Sequence, residues 1–245
     1  MGILDFFTSG PSKDAILAQV QKAKEIYAQP EYRRMAMEKL LKWNTDESLR
    51  GLLERFCVVV QSPHWDEDEK RWLVDEFCKL GDKVKPILRD FILKKNEVNH
   101  ALLAYRKIVN DDAAYKAILI EALKMRPPSD HRSVQGKQEL IAAISEFDHN
   151  SFDDLLLPYL NDHSDDVQCA AIAALAASPN DEVKKSLIDL LKSEVHSARV
   201  LRSAAAVVAA QKIPVSDNVA LSDAVKDDFM IKAGQLVRLD HKESE

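Results

Sequence analysis

The sequence predicts an all-α solenoid of about seven antiparallel helix hairpins, and three observations lead there. Apolar residues recur at i, i+3, i+4 and i+7 along nearly the whole chain, as in Ile16, Val20, Ala23 and Tyr27, the stripe that an α-helix buries. Stop and start signals interrupt that stripe at regular intervals. A nine-residue helical pattern then returns at a spacing typical of stacked helix pairs.

In chain order, the stop and start signals are Gln29-Pro30, Trp43-Asn44-Thr45-Asp46, Ser62-Pro63, Leu80-Gly81-Asp82, Asn110-Asp111-Asp112, Pro127-Pro128-Ser129, His149-Asn150-Ser151, Asn161-Asp162, Ser178-Pro179-Asn180-Asp181 and Pro214-Val215-Ser216. Asn, Asp and Ser accept hydrogen bonds from the orphan N–H groups that open a helix, and Pro ends the preceding one. These breaks divide the chain into about fourteen helices of roughly 10 to 18 residues, with links short enough to turn neighbours antiparallel. Strand-like alternation is not expected anywhere. The run Val58-Val59-Val60 continues the helical spacing of Leu49, Leu52, Leu53 and Phe56, so it is expected to form the buried end of a helix.

The register is set by Val167-Gln168-Cys169-Ala170-Ala171-Ile172-Ala173-Ala174-Leu175. Similar segments begin at Tyr32, Glu69, Val98, Gly136, Val200 and Phe229, so successive starts lie 37, 29, 38, 31, 33 and 29 residues apart. The fifth position is small or apolar throughout: Ala36, Leu73, Leu102, Leu140, Ala171, Ala204 and Ala233. The ninth holds Leu40, Phe77, Arg106, Ile144, Leu175, Val208 and Val237, with Arg106 the one misfit. A single hairpin of this kind cannot bury both faces, so stacking is the stable solution.

Val167 to Leu175, and more loosely Val200 to Val208, resemble the second helix of bacterial HEAT repeats of the phycobilisome-lyase type, whose pattern runs Val-Arg-x-Ala-Ala-x-x-Ala-Leu-Gly. Gln168 stands where the family prefers Arg and Ala176 where it prefers Gly, while Arg33 and Lys70 keep the basic second position. The specific resemblance covers residues 150–212 and implies a HEAT-like, armadillo-type fold and a binding habit, not a substrate. On this reading residues 1–12 are an N-terminal segment, 13–239 a single solenoid domain and 240–245 a tail.

Composition narrows the function. Six glycines, none close to another, leave no Gly-rich phosphate loop or dinucleotide fingerprint. A net charge of -6 disfavours a nucleic-acid backbone binder. Cys57, Cys78 and Cys169 are expected as buried free thiols, in keeping with a reducing cytoplasm. No His pair has helical metal spacing, and Asn161 to Asp166 is expected to be a turn rather than a calcium loop. The chain has no His-Glu dipeptide of the kind that iron-binding HEAT hydroxylases carry. Nor does it offer a nucleophile elbow. A relative of HEAT-like DNA glycosylases would need an aromatic platform, but Trp43 and Trp72 sit at core spacing. A bilin-lyase role has no residue that selects for it. No cofactor or metal is expected, and no run is long and apolar enough to span a membrane.

The leading expectation is therefore a cytoplasmic, non-catalytic scaffold for a protein partner. In a HEAT array the second helices line the concave side, and register positions three and seven share a face. Arg34, Glu38, Arg71, Asp75, His100 and Arg202 are the candidate contacts there, with Arg34–Glu38 and Arg71–Asp75 expected as ion pairs. Towards the C-terminus the same positions hold Ala142, Ala173 and Ala206. Gln138 to Val183 contains no Lys or Arg. Its acids Asp153, Asp154, Asp162, Asp165 and Asp166 are expected to form an edge that attracts a basic partner. Ile3, Leu4, Phe6 and Phe7 either cap the first helix pair or form a docking peptide.

Overall fold

Ser12 opens the first helix by accepting a hydrogen bond from Ala15 N, and the same logic runs down the chain. The computed structural model describes residues 10–147, 152–177 and 179–239. Its contacts group into two compact units, Met1–Ala122 and Leu123–Glu245. In the first, α1 (Lys13–Lys24), α2 (Pro30–Trp43), α3 (Asp46–Leu53), α4 (Pro63–Leu80), α5 (Lys85–Lys94), α6 (Asn99–Val109) and most of α7 (Asp112–Lys124) follow one another. Pro30 and Pro63 occupy the first turns of α2 and α4, where a missing N–H costs nothing. Asn44 and Asn110 close α2 and α6 in the left-handed region (φ 51° and 47°), and Thr45 and Ser48 form a reciprocal capping box on α3.

Within this unit α1 packs on α3 and α3 on α5, while α4 packs on α6. A Cβ on Gly51 of α3 would overlap Val20 Cγ2 of α1, so the absent side chain sets how closely those helices approach. Gly51→Ala is expected to lower the stability of the unit, because overpacking of about 1–3 kcal/mol outweighs the roughly 1 kcal/mol gained in helix propensity. Urea unfolding read by tryptophan fluorescence checks this, and an unchanged or raised midpoint would contradict the close approach.

A buried charge cluster locks α2, α4 and the segment between α3 and α4. Arg33 (1% exposed) donates to Glu69 Oε1 at 2.8 Å and to the carbonyls of Glu25 and Ala28. Arg55 (0% exposed) donates to Glu69 Oε2 at 2.8 Å and to Asp66 Oδ1 at 2.7 Å. Lys70 completes the set, 2.7 Å from Asp66 Oδ2. Here the expected helical reading of Val58 to Val60 fails. A 3-10 turn at Glu54–Cys57 ends the helix, Arg55 takes the Val58 carbonyl at 3.0 Å, and Asp66 takes the Val60 N–H at 3.2 Å. Those bonds hold the three valines out of the helix, with Val58 extended and Val59 exposed.

The second unit contains α8 (Val134–Ile144), α9 (Asp153–Leu156) running into a 3-10 turn, α10 (Asp165–Leu175), α11 (Asp181–Leu191), α12 (Ala198–Ala210) and α13 (Asp223–Lys226). There α10 packs against both α8 and α12, and α11 against α12. The register lands on α2, α4, α6, α8, α10 and α12. Its fifth positions there are all buried, as are the ninth positions apart from Arg106, whose guanidinium lies 5.2 Å from the Tyr115 ring centre.

The segment at Phe229 departs from expectation. It forms an antiparallel hairpin, β1 (Phe229–Lys232) and β2 (Gln235–Arg238), instead of a seventh helix pair, while the described residues remain mostly helical, in keeping with an all-α chain. Ala233 and Gly234 both take positive φ (52° and 73°), the geometry a two-residue hairpin turn requires, and Leu236 points inward. β2 packs on α12, and Val215 N donates to the Gly234 carbonyl at 2.9 Å. The hairpin thus covers α12 where a seventh helix pair was expected.

Candidate functional site

Position three of the register does gather on one face of the first unit, but its charges pair differently from the expectation. Arg34 Nε lies 3.1 Å from Glu38 Oε1, as the spacing predicts. Its guanidinium also sits 3.3 Å from the Trp72 ring centre, a cation–π stack that ties α2 to α4. Arg71 does not pair with Asp75. It turns back to Glu67 Oε1 at 2.6 Å, while Asp75 accepts from Lys107 on α6 at 3.2 Å. A Glu–Arg order along a helix suits the helix dipole better than Arg–Asp, which favours Glu67. His100 Nε2 stands 3.2 Å from Glu67 Oε2, and its ring stacks on Phe56 with centres 5.5 Å apart. The hydrogen bond from Arg71, with a smaller contribution from His100, outweighs desolvation and holds the Glu67 carboxyl below its usual range. Between α2 and α4 a groove of about 490 Å³ opens over the Arg34–Trp72 stack, walled by Glu38, Lys42, Glu76 and Lys79.

Trp72 and Trp43 are half-buried, not core residues, and Trp65 is exposed. Trp72 is the residue that sequence reasoning misplaced. Its signal was present, since it follows the position-three Arg71 directly and lies on the edge of the same face.

In the second unit Arg202 is already engaged, 2.6 Å from Asp228 and 3.6 Å from Asp227, on the approach to the β-hairpin. Ala142, Ala173 and Ala206 are exposed on α8, α10 and α12. The five acids do not form one solvated edge. Asp162 is buried against Lys137 Nζ at 2.6 Å, with both side chains 0% exposed, and its other oxygen accepts from Ser164 N at 2.9 Å. Asp153 is buried as well, accepting from Asn180 Nδ2 at 2.7 Å. Asp154 is exposed and Asp165 half-exposed, whereas Asp166 holds Arg199 at 2.5 Å. The bases missing from residues 138–183 are supplied by the flanking Lys137 and Arg199.

Lys137 extends the basic second position already noted at Arg33 and Lys70, and shows what it does. The second register position is buried and polar in Arg33, Lys70, Lys137 and Gln168, and each reaches the turn that opens its own or a neighbouring helix. Arg33 and Lys137 also tie their helices to later elements, through Glu69 and Asp162, and the position leaves position three to face outward.

Burial pushes the Cys57 thiol up to about 12 and raises Cys78 and Cys169 as well, so these free, half-buried cysteines keep their protons at neutral pH. Among the described residues no group of three or more His, Cys, Asp or Glu is placed to hold a metal ion, and no helix is long and apolar enough to cross a membrane. No family model matches the chain, and no curated protein or solved structure shows significant similarity to it.

Proposed function

We propose that the chain is a non-catalytic, HEAT-like α-solenoid that binds a polypeptide partner through the α2–α4–α6 face. The groove over the Arg34–Trp72 stack carries this reading. Trp and Arg supply most of the energy in protein interfaces, because a flat ring and a planar guanidinium bury area with little loss of rotamer freedom. The walls alternate in sign, with Glu38 and Glu76 beside Lys42 and Lys79. Mixed charge suits a polypeptide, which carries both signs, better than a phosphate backbone, which carries one. Two further cations of that face, Arg71 and Lys107, already serve Glu67 and Asp75. The proposed compartment is the cytoplasm.

A photo-crosslinking residue at Leu41, at the groove wall, is the direct test. It is expected to trap one defined protein, and Trp72→Ala or Arg34→Ala should weaken that capture about tenfold to a hundredfold, the usual range for losing a central contact. A salt-sensitive affinity for duplex DNA with no protein crosslink would overturn the reading.

A further inference from the structure

The groove between α2 and α4 holds more positive charge than it uses. Its charged lining residues are Arg34, Glu38, Lys42, Glu76 and Lys79. Both acids are spent inside it, Glu38 on Arg34 Nε at 3.1 Å and Glu76 on Lys79 at 2.7 Å. Lys42 is exposed and has no ion-pair partner among the described residues. The terminal amino groups of Arg34, Nη1 and Nη2, are likewise without a hydrogen-bond partner there. Trp72 holds that fork in place. Arg34 Cζ stands 3.3 Å from the ring centre, and a guanidinium lying on a ring directs its N–H groups within its own plane, away from the ring. With Nε committed to Glu38, the two terminal groups form a pre-ordered pair of donors at the groove wall.

We propose that this groove takes an acidic segment of its partner, one carboxylate seated on the Arg34 fork and a second on Lys42, a choice that rests on the polypeptide reading of the same groove. A carboxylate is planar and offers two oxygens to two parallel N–H groups, the geometry in which arginine surpasses lysine. A phosphoryl group, with its greater negative charge, would meet stronger repulsion from Glu38 and Glu76. The spacing follows from α2. Arg34 and Lys42 lie eight residues apart on that helix, a rise of about 12 Å. In an extended segment, residues four apart fall on one side and span about 13 Å, so acids at that spacing reach both cations. Leu41 and Leu80, half-buried at the groove wall, give the residues between them an apolar surface.

Selection of displayed random dodecapeptides on the full-length protein, at physiological salt, tests the assignment. Peptides released by Trp72→Ala or, as a second variant, by Leu41→Ser are those held in the groove. They are expected to be enriched in Asp or Glu pairs four residues apart, and changing either acid to its amide should weaken binding about tenfold. Arg34→Gln should erase the preference for one acid and Lys42→Gln that for the other, with circular dichroism unchanged in both. Arg34→Lys, which keeps the charge and loses the fork, should restore only part of the affinity lost in Arg34→Gln. A merely structural Arg34 would lower the binding of acid and amide peptides alike, and that result would overturn the proposal. Groove-held peptides with no acidic preference would overturn it while leaving the polypeptide reading standing. If no selected peptide depends on Trp72 or Leu41, both fall.

Discussion

Glu69→Ala is expected to destabilise the first unit by about 3–5 kcal/mol, because it leaves Arg33 and Arg55 buried without their shared carboxylate. Water cannot replace that partner, as both guanidinium groups are essentially inaccessible. All three tryptophans, Trp43, Trp65 and Trp72, lie in this unit, so fluorescence-monitored urea unfolding isolates its transition from the rest of the chain. A loss below about 1 kcal/mol would mean that the cluster is solvated. The cluster should also make the unit acid-sensitive. Burial alone would raise the Asp66 carboxyl, but hydrogen bonds from Lys70, Arg55 and the Val60 N–H hold it below its usual range. A carboxylate depressed on folding contributes its stability above the unfolded value of about 3.9 and loses it as pH falls through the folded value. The fluorescence midpoint should therefore hold down to the ordinary carboxylate range and drop below it.

Lys137→Met is expected to cost the second unit about 3 kcal/mol, by leaving the buried Asp162 carboxylate without its ammonium and with only Ser164 N and the His163 ring beside it. Asp162→Asn should also destabilise, by leaving the ammonium without its anion, whereas Asp165→Asn on the half-exposed neighbour should change stability by less than about 0.5 kcal/mol. Pairing Lys137→Met with Asp162→Leu should recover much of the loss, since an apolar pair of similar volume removes both buried charges. The unit has no tryptophan, so circular dichroism or amide exchange in α8 and α10 supplies the readout. A Lys137→Met protein as stable as the parent would show that the pair is open to water.

The contrast between Asp162 and Asp165 marks where sequence reasoning stopped. Helical periodicity and caps were legible because they are local: a Pro after a Ser, or an Asn at a left-handed helix end, needs no knowledge of distant residues. The fifth and ninth register positions were legible for the same reason. Which acids face solvent was not, since the partner of Asp162 lies 25 residues upstream and that of Asp166 lies 33 downstream. Val58 to Val60 was misread because the groups that unwind it, Arg55 and Asp66, act through side-chain bonds to backbone that helical spacing cannot register. At Phe229 the apolar spacing fitted a helix and a strand equally, and Gly234 after Ala233 was the turn signal that should have decided it. The resemblance to HEAT repeats rests on Val167 to Leu175 and a looser echo at Val200 to Val208, and no detectable relative supports it.

The forward reach of the buried second position bears on how the protein is made. Arg33 closes on Glu69, 36 residues later, and Lys137 on Asp162, 25 residues later. A chain emerging from the ribosome at about 5–20 residues per second must hold Arg33 without its carboxylate for roughly 2–7 s. The helix pairs that hold Arg33 and Lys137 are therefore finished only by the arrival of later chain, so translation speed between Arg33 and Glu69 sets how long that first pair stays open to chaperones or to misassembly.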